Sequence, residues 1–242
     1  MHKLLCFIIL SCMLQGCGVN NSAEKGGFYK SRNEIFIDDS LNKAAKAVER
    51  GNTSTLDELT EQGLDVNATG LHGYNLLYWA LRSGEPKSFE KLLQLGANPD
   101  ALTETGKSVT YLAADNDDSR YLSLALKYGA FVNGISTAEM DTPIFRALGG
   151  QNLNNTLILL KNGADKDFQN KFGETPAMSA AALRNFAFVD IMVEHGADHC
   201  KVSRWGGTLL DRLEKAEELM DKSAAEYQIV KRLLRTLPAC NI

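Results

Sequence analysis

The sequence predicts an all-α solenoid of stacked helical pairs, and three observations predict it. First, one phrase recurs along the chain. Its best copy is Gly96-Ala97-Asn98-Pro99-Asp100, and related copies open at Gly63, Gly129, Gly163 and Gly196, at steps of 33 residues with one step of 34. Second, Ala47, Ala80, Ala113, Ala147 and Ala180 each stand 16 residues before their glycine. Third, apolar residues keep fixed offsets ahead of each glycine. Leu59, Leu92, Ala125, Leu159 and Met192 stand four before it; Leu56, Phe89, Leu122 and Val189 stand seven before. A fixed period of about 20–50 residues signals units that bury their apolar faces only against neighbouring units.

The constant Ala-to-Gly stretch holds the end of one helix, a tight turn, and a second helix with its stop. Packed helices cannot absorb an insertion without rotating a buried face outward, whereas loops can. The single extra residue indeed falls outside that stretch, between Gly129 and Ala147. Offsets of three and four mark one apolar helix face. Glycine then ends the helix, because it enters the left-handed conformation at little cost. Helix starts lie upstream of each alanine. Thr142-Pro143-Ile144-Phe145-Arg146-Ala147 and Gly173-Glu174-Thr175-Pro176-Ala177-Met178-Ser179-Ala180 are the clearest. Threonine is expected to cap the helix, and proline to fill its first turn, where no amide bond is lost.

With these motifs the chain resembles the ankyrin repeat family, over roughly residues 40–237. The resemblance implies about five to six helix-turn-helix repeats with short hairpin-like fingers between them. The family's usual histidine is replaced by Tyr78, Tyr111, Phe145 and Met178, so the inner layer is expected to be more apolar.

The first 38 residues are read differently. Lys3 followed by Leu4-Leu5-Cys6-Phe7-Ile8-Ile9-Leu10 has the form of a targeting segment too short to span a membrane as a mature helix. Leu14-Gln15-Gly16-Cys17 resembles the bacterial lipoprotein cleavage box. That resemblance implies a signal peptide over residues 1–16 and acylation of Cys17, with Gly18 favouring an outer-membrane anchor facing the periplasm. Each buried methylene of such an anchor adds about 0.8 kcal/mol. Residues 17–38 then form a flexible tether, and 39–238 the repeat array with capping units at both ends.

The first unit, Asp39 to Gly63, should bury Leu41, Ala44, Ala45 and Val48 and leave Lys43, Lys46, Glu49 and Arg50 in water. In the next units Trp79, Leu112, Arg146 and Ser179 share one position, which the ankyrin pattern points toward the concave groove. An aromatic with an arginine there is the composition of a binding hot spot. The expected groove set is Trp79, Arg82, Leu112, Asp115, Arg146 and Arg184. The expected finger set is Leu102, Glu104, Phe168, Lys171 and Trp205. Both are placed by repeat phase. The last unit, from Trp205, carries a charged run from Asp211 to Lys222 that reads as a solvated face.

Chemistry is sparse. No phosphate-binding loop, nucleophile elbow or His-Glu-x-x-His is present, so neither a catalytic set nor a cofactor is expected. His195, His199 and Cys200 lack a fourth ligand, so no metal is expected. A net charge of −4 argues against nucleic acid as partner. After cleavage and acylation two cysteines remain, Cys200 and Cys240. In an oxidising compartment they either bond, closing a loop of about 40 residues, or stay separate thiols, and the disulfide is the expected form. The functional expectation is a periplasmic protein-binding module. Lipid anchor and repeats together resemble ankyrin-type lipoproteins that act as immunity proteins against phospholipase toxins of the type VI secretion system. That implies steric occlusion of a secreted lipase; an envelope scaffold for a resident enzyme or assembly is the alternative.

Overall fold

The computed structural model describes residues 31–240. The expected signal segment, Cys17 and most of the expected tether lie outside the described residues. Thirteen α-helices and no strand are found among the described residues. A short helix α1 (Arg32–Ile35) precedes six helical pairs: α2 (Asp39–Glu49) with α3 (Thr53–Glu61), α4 (Leu76–Ser83) with α5 (Pro86–Gln94), and α6 (Val109–Ala113) with α7 (Arg120–Lys127). These are followed by α8 (Pro143–Gly149) with α9 (Leu153–Lys161), α10 (Pro176–Ala182) with α11 (Phe186–Glu194), and α12 (Leu209–Leu219) with α13 (Ala225–Thr236). The first helices of successive pairs stack on one another as an inner row, and the second helices form the outer layer.

The alanine ladder explains how the inner row closes. Ala80, Ala113, Ala147 and Ala180 are wholly buried and Ala47 nearly so, which lets backbones approach where a larger side chain would wedge them apart. Leu56, Phe89, Leu122, Thr156 and Val189 fill the layer between inner and outer helices. The glycine stops behave as expected. Gly96 has φ 90°, and the amide of Ala97 returns to the carbonyl of Leu92 at 2.9 Å. The same bond recurs from Leu64, Ala130, Ala164 and Ala197, satisfying a carbonyl that the helix end would otherwise orphan.

In the inner row, helix starts follow the caps with one exception. Asn75, Ser108 and Thr175 each accept from the amide three residues on, at 2.8, 3.0 and 3.3 Å, and Thr208 forms a capping box with Asp211. Thr142, expected to cap, does not. Its hydroxyl is buried without a partner, and Pro143 alone shapes that start. Between the pairs, paired backbone bonds form short fingers at Thr69–Asn75, Leu102–Ser108 and Ser136–Asp141. The extra residue sits in the last of these, because Thr103 bonds Lys107 across its finger whereas Ser136 must reach Asp141. Met140 there takes φ 56°, where Gly73, Gly106, Gly173 and Gly206 turn the other fingers.

A side-chain ladder ties neighbouring repeats. The side-chain oxygens of Asn67, Asp100, Asn133 and Asp167 accept from the amides of Asn98, Phe131, Asp165 and Asp198 at 2.7–2.8 Å. Cys200 holds the next place in phase. It reaches past the last pair in another way, bonding Cys240 just beyond α13 across a separation of 40 residues.

The tether boundary requires correction. Residues expected to be flexible up to 38 belong to the fold from Arg32 onward. Ile35 and Phe36 are buried, and Asp38 caps α2 by accepting from Leu41 at 2.8 Å. Arg32 pairs with Glu49 at 2.5 Å. The first inner helix would otherwise expose its outer end, and α1 covers it.

Candidate protein-binding surface

The inner helices and the fingers frame one face of the array, and the expected groove residues divide on it. Trp79 is not a groove anchor. It is 6% exposed, its ring meets the edge of Phe36 at 5.5 Å, and the guanidinium of exposed Arg82 lies 4.9 Å from its centre. The N-terminal helix occupies the side that repeat phase assigned to open groove. Arg184 is also elsewhere. It sits at the turn between α10 and α11 with φ 59°, beside a depression of about 320 Å³ that Gln151, Leu183 and Phe186 also line. That turn is the opposite end of the helices from the fingers.

Leu112, Asp115 and Arg146 do come together, on α6, its C-terminal end and α8. Leu112 is half-buried against the core. Arg146 and Asp115 form an ion pair at 2.5 Å, their side chains 20% and 16% exposed. Asp115 leans into space left by Gly150, where a Cβ would come within 1.9 Å of its carboxylate. The Tyr111 ring lies 5.9 Å from the Arg146 guanidinium, and its hydroxyl bonds Asp141. Burial, then the Asp141 charge, hold the Tyr111 hydroxyl far above its ordinary range. Burial also raises Asp141; the Tyr111 bond opposes that rise and Glu139 adds to it. Two repeats along, Arg212 pairs with Glu174 at 2.5 Å, and Ser179 donates to the same carboxylate at 3.0 Å. Arg146 therefore already has a carboxylate partner within the chain, contrary to its expected role as an open anchor.

The fingers divide too. Phe168 is not a tip residue; it is half-buried and meets Phe145 edge-on at 6.4 Å. Glu104 lies at the surface and bonds the ring of His72 at 2.7 Å. Leu102, Lys171 and Trp205 are exposed, Trp205 at 68%. Phase reasoning named single positions and missed their company. Phe131, Ile135 and Met140 are exposed around the third finger, and Phe172 stacks on Trp205 at 5.6 Å. A scan for large apolar residues between Gly-Ala-Asx phrases and helix caps would have found them.

Cys200 and Cys240 are joined by a disulfide. A ring nitrogen of His199 lies within 4.8 Å of both sulfurs, and its Nε2 is 2.9 Å from the carbonyl of Pro238. In the bonded state neither sulfur is a thiolate, so this trio offers no metal set as it stands. His195 turns away, with Nδ1 2.8 Å from the carbonyl of Ile191.

No family model matches the chain. Among curated proteins it is 36% identical over 145 residues to Protein PhlB of Serratia liquefaciens, covering 57% of this chain and 61% of that protein. It is 30% identical over 131 residues to the ankyrin repeat domain-containing protein SAT10 of Stachybotrys chartarum, over 54% of this chain and 6% of that one. The chain thus spans less than two thirds of the length of these relatives. Among solved structures it matches EF0377, an ankyrin repeat protein, with TM-score 0.70 and 20% identity over 82% of this chain and 98% of that one. Helical pairs, fingers and neighbours agree: the fold is an ankyrin repeat solenoid.

Proposed function

We propose that the chain is a lipid-anchored envelope protein that binds a secreted phospholipase effector of the type VI system and blocks it by occlusion, as an immunity protein. The observation that carries the binding role is the third finger, Ser136–Asp141, and its neighbour. Leu102, Phe131, Ile135 and Met140 are 45–64% exposed on a framework locked by backbone bonds. Exposed apolar clusters rimmed by charge suit a protein partner. The Cys200–Cys240 bond supports an oxidising compartment, where disulfides persist. The lipoprotein-like Leu14-Gln15-Gly16-Cys17 supports the anchor. Inhibition of this kind needs no chemistry from the chain, only a fitted surface over the lipase entrance.

The test is a competition between sibling strains. A strain lacking this chain should lose to a parent with a working type VI apparatus and survive beside one without it. Equal survival in both pairings would remove the immunity reading. It would favour the envelope scaffold if a resident enzyme lost activity in the same deletion.

A further inference from the structure

The last two fingers differ from the others in charge. The stretches Phe168-Gln169-Asn170-Lys171-Phe172 and Lys201-Val202-Ser203-Arg204-Trp205 hold three cations, and the carboxylate at the base of the first of these fingers, Glu174, is taken up by Arg212 at 2.5 Å, in a chain whose net charge is −4. The preceding fingers carry Glu104 and Glu139. Among the described residues none of the three cations is held by an ion pair; Lys171 lies 5.3 Å from the Phe172 ring. At the tip Trp205 is 68% exposed, Phe172 42% and Val202 38%, and the two rings stack at 5.6 Å. The pair of fingers is pre-set. Arg204 donates its amide to the Phe172 carbonyl at 3.1 Å, and the Gln169 side chain donates to the carbonyls of Gly173 and Val202 at 2.7 and 2.9 Å. A Cβ on Gly173 would stand 2.8 Å from the Arg204 nitrogen, so the backbones are in direct contact.

We infer that these two finger tips form a site for an anionic lipid surface, with Trp205 and Phe172 entering the headgroup layer and Lys171, Lys201 and Arg204 meeting lipid phosphates. Two arguments favour lipid over a protein partner. Lysine is depleted from protein–protein interface cores, and two of the three cations are lysines. Tryptophan with lysine or arginine around it is the composition of interfacial anchors, where an amphipathic ring sits at headgroup level and each cation is drawn to the negative surface. This site is separate from the apolar cluster of the third finger, and it stands whether or not the phospholipase reading does.

The chain's own fluorescence tests it. Only two tryptophans are present; Trp79 is buried and Trp205 exposed, so a change in emission on binding reports the finger tip. Full-length chain is titrated with vesicles of phosphatidylcholine alone and of phosphatidylcholine mixed with phosphatidylglycerol. The anionic vesicles should shift emission to the blue, and W205F should abolish the shift while leaving the circular dichroism intact. K171Q/K201Q/R204Q should bind about a hundredfold more weakly. Added salt should weaken binding of the unaltered chain, a readout that requires no variant to fold. The inference is overturned by a shift equal on both vesicle types, by one unchanged in the triple variant, or by one insensitive to salt. A shift with polyglutamate but none with vesicles would overturn it in favour of an acidic protein partner.

Discussion

Truncating Phe36 decides whether the residues ahead of α2 belong to the solenoid. Its ring is fully buried and meets Trp79 edge-on, and its carbonyl accepts from Asn42 at 2.8 Å. It also sits against Gly70 of the first finger, where a Cβ would come 2.8 Å from the Phe36 ring. A buried Phe→Ala change costs roughly 3–5 kcal/mol, from lost transfer energy and the cavity left behind. The backbone bonds of the site survive truncation, and solvent can reach a terminal unit, so about 3 kcal/mol is expected. The control is Ile37→Ala, next door but 78% exposed, which should change stability by less than about 0.5 kcal/mol. Urea unfolding followed by Trp79 emission, in a W205F background, reads both. Because solenoid units are held by nearest neighbours, the loss should appear first at α1, α2 and Trp79, with the C-terminal pairs still folded. Equal stabilities for Phe36→Ala and Ile37→Ala would refute the cap and return residues 31–38 to a tether.

Other expectations follow from the same geometry. Reducing the Cys200–Cys240 bond should destabilise the last pair by about 3–4 kcal/mol in the chain-entropy model, seen as a lower melting temperature with reductant and earlier amide exchange in α13. Gln151 takes φ 54° and Arg184 φ 59° at turns where Gly51 and Gly84 serve the first units, so Gln151→Gly and Arg184→Gly should each stabilise by about 1 kcal/mol in urea melts. Ala147→Leu should cost at least about 2 kcal/mol, because the inner row has no room for the added carbons. Asp141 binds its proton more tightly folded than unfolded, so its contribution to stability falls as pH rises from the ordinary carboxylate value through its raised folded value. Asp141→Asn should flatten the melting temperature across that acidic window.

Much of the fold was legible because packing enforces a strict count. The stretch from Ala47 to Gly63 and its four successors cannot change length without turning a buried face to water, so the ladder survives in plain sight. What stayed hidden was set by neighbours rather than by phase. Ile35-Phe36 is only two apolar residues with no period, and nothing local marks them as a cap. Trp79 stands in phase with Leu112 and Arg146, yet it alone faces α1. The Asp115–Arg146 pair spans adjacent repeats, and a search within one repeat cannot see it. The ladder of Asn67, Asp100, Asn133 and Asp167 was visible in principle, since an amide-accepting residue recurs four places after Gly63, Gly96, Gly129 and Gly163.

The groove and the fingers differ in what a partner would have to give up. At Arg146 a partner must compete with Asp115, and both side chains are mostly out of water. Stripping one member from such a pair leaves a poorly solvated charge and costs about 3–5 kcal/mol. Covering Leu102, Phe131, Ile135 and Met140 breaks nothing. It removes apolar surface from water at about 25 cal/mol per Å², and the framework beneath is already ordered. The inserted residue strengthens this contrast: it sets Met140, in a left-handed conformation, where the other fingers turn on glycine. The concave ion pairs hold adjacent repeats in register, and under the proposed function the fingers are the surface that meets the partner.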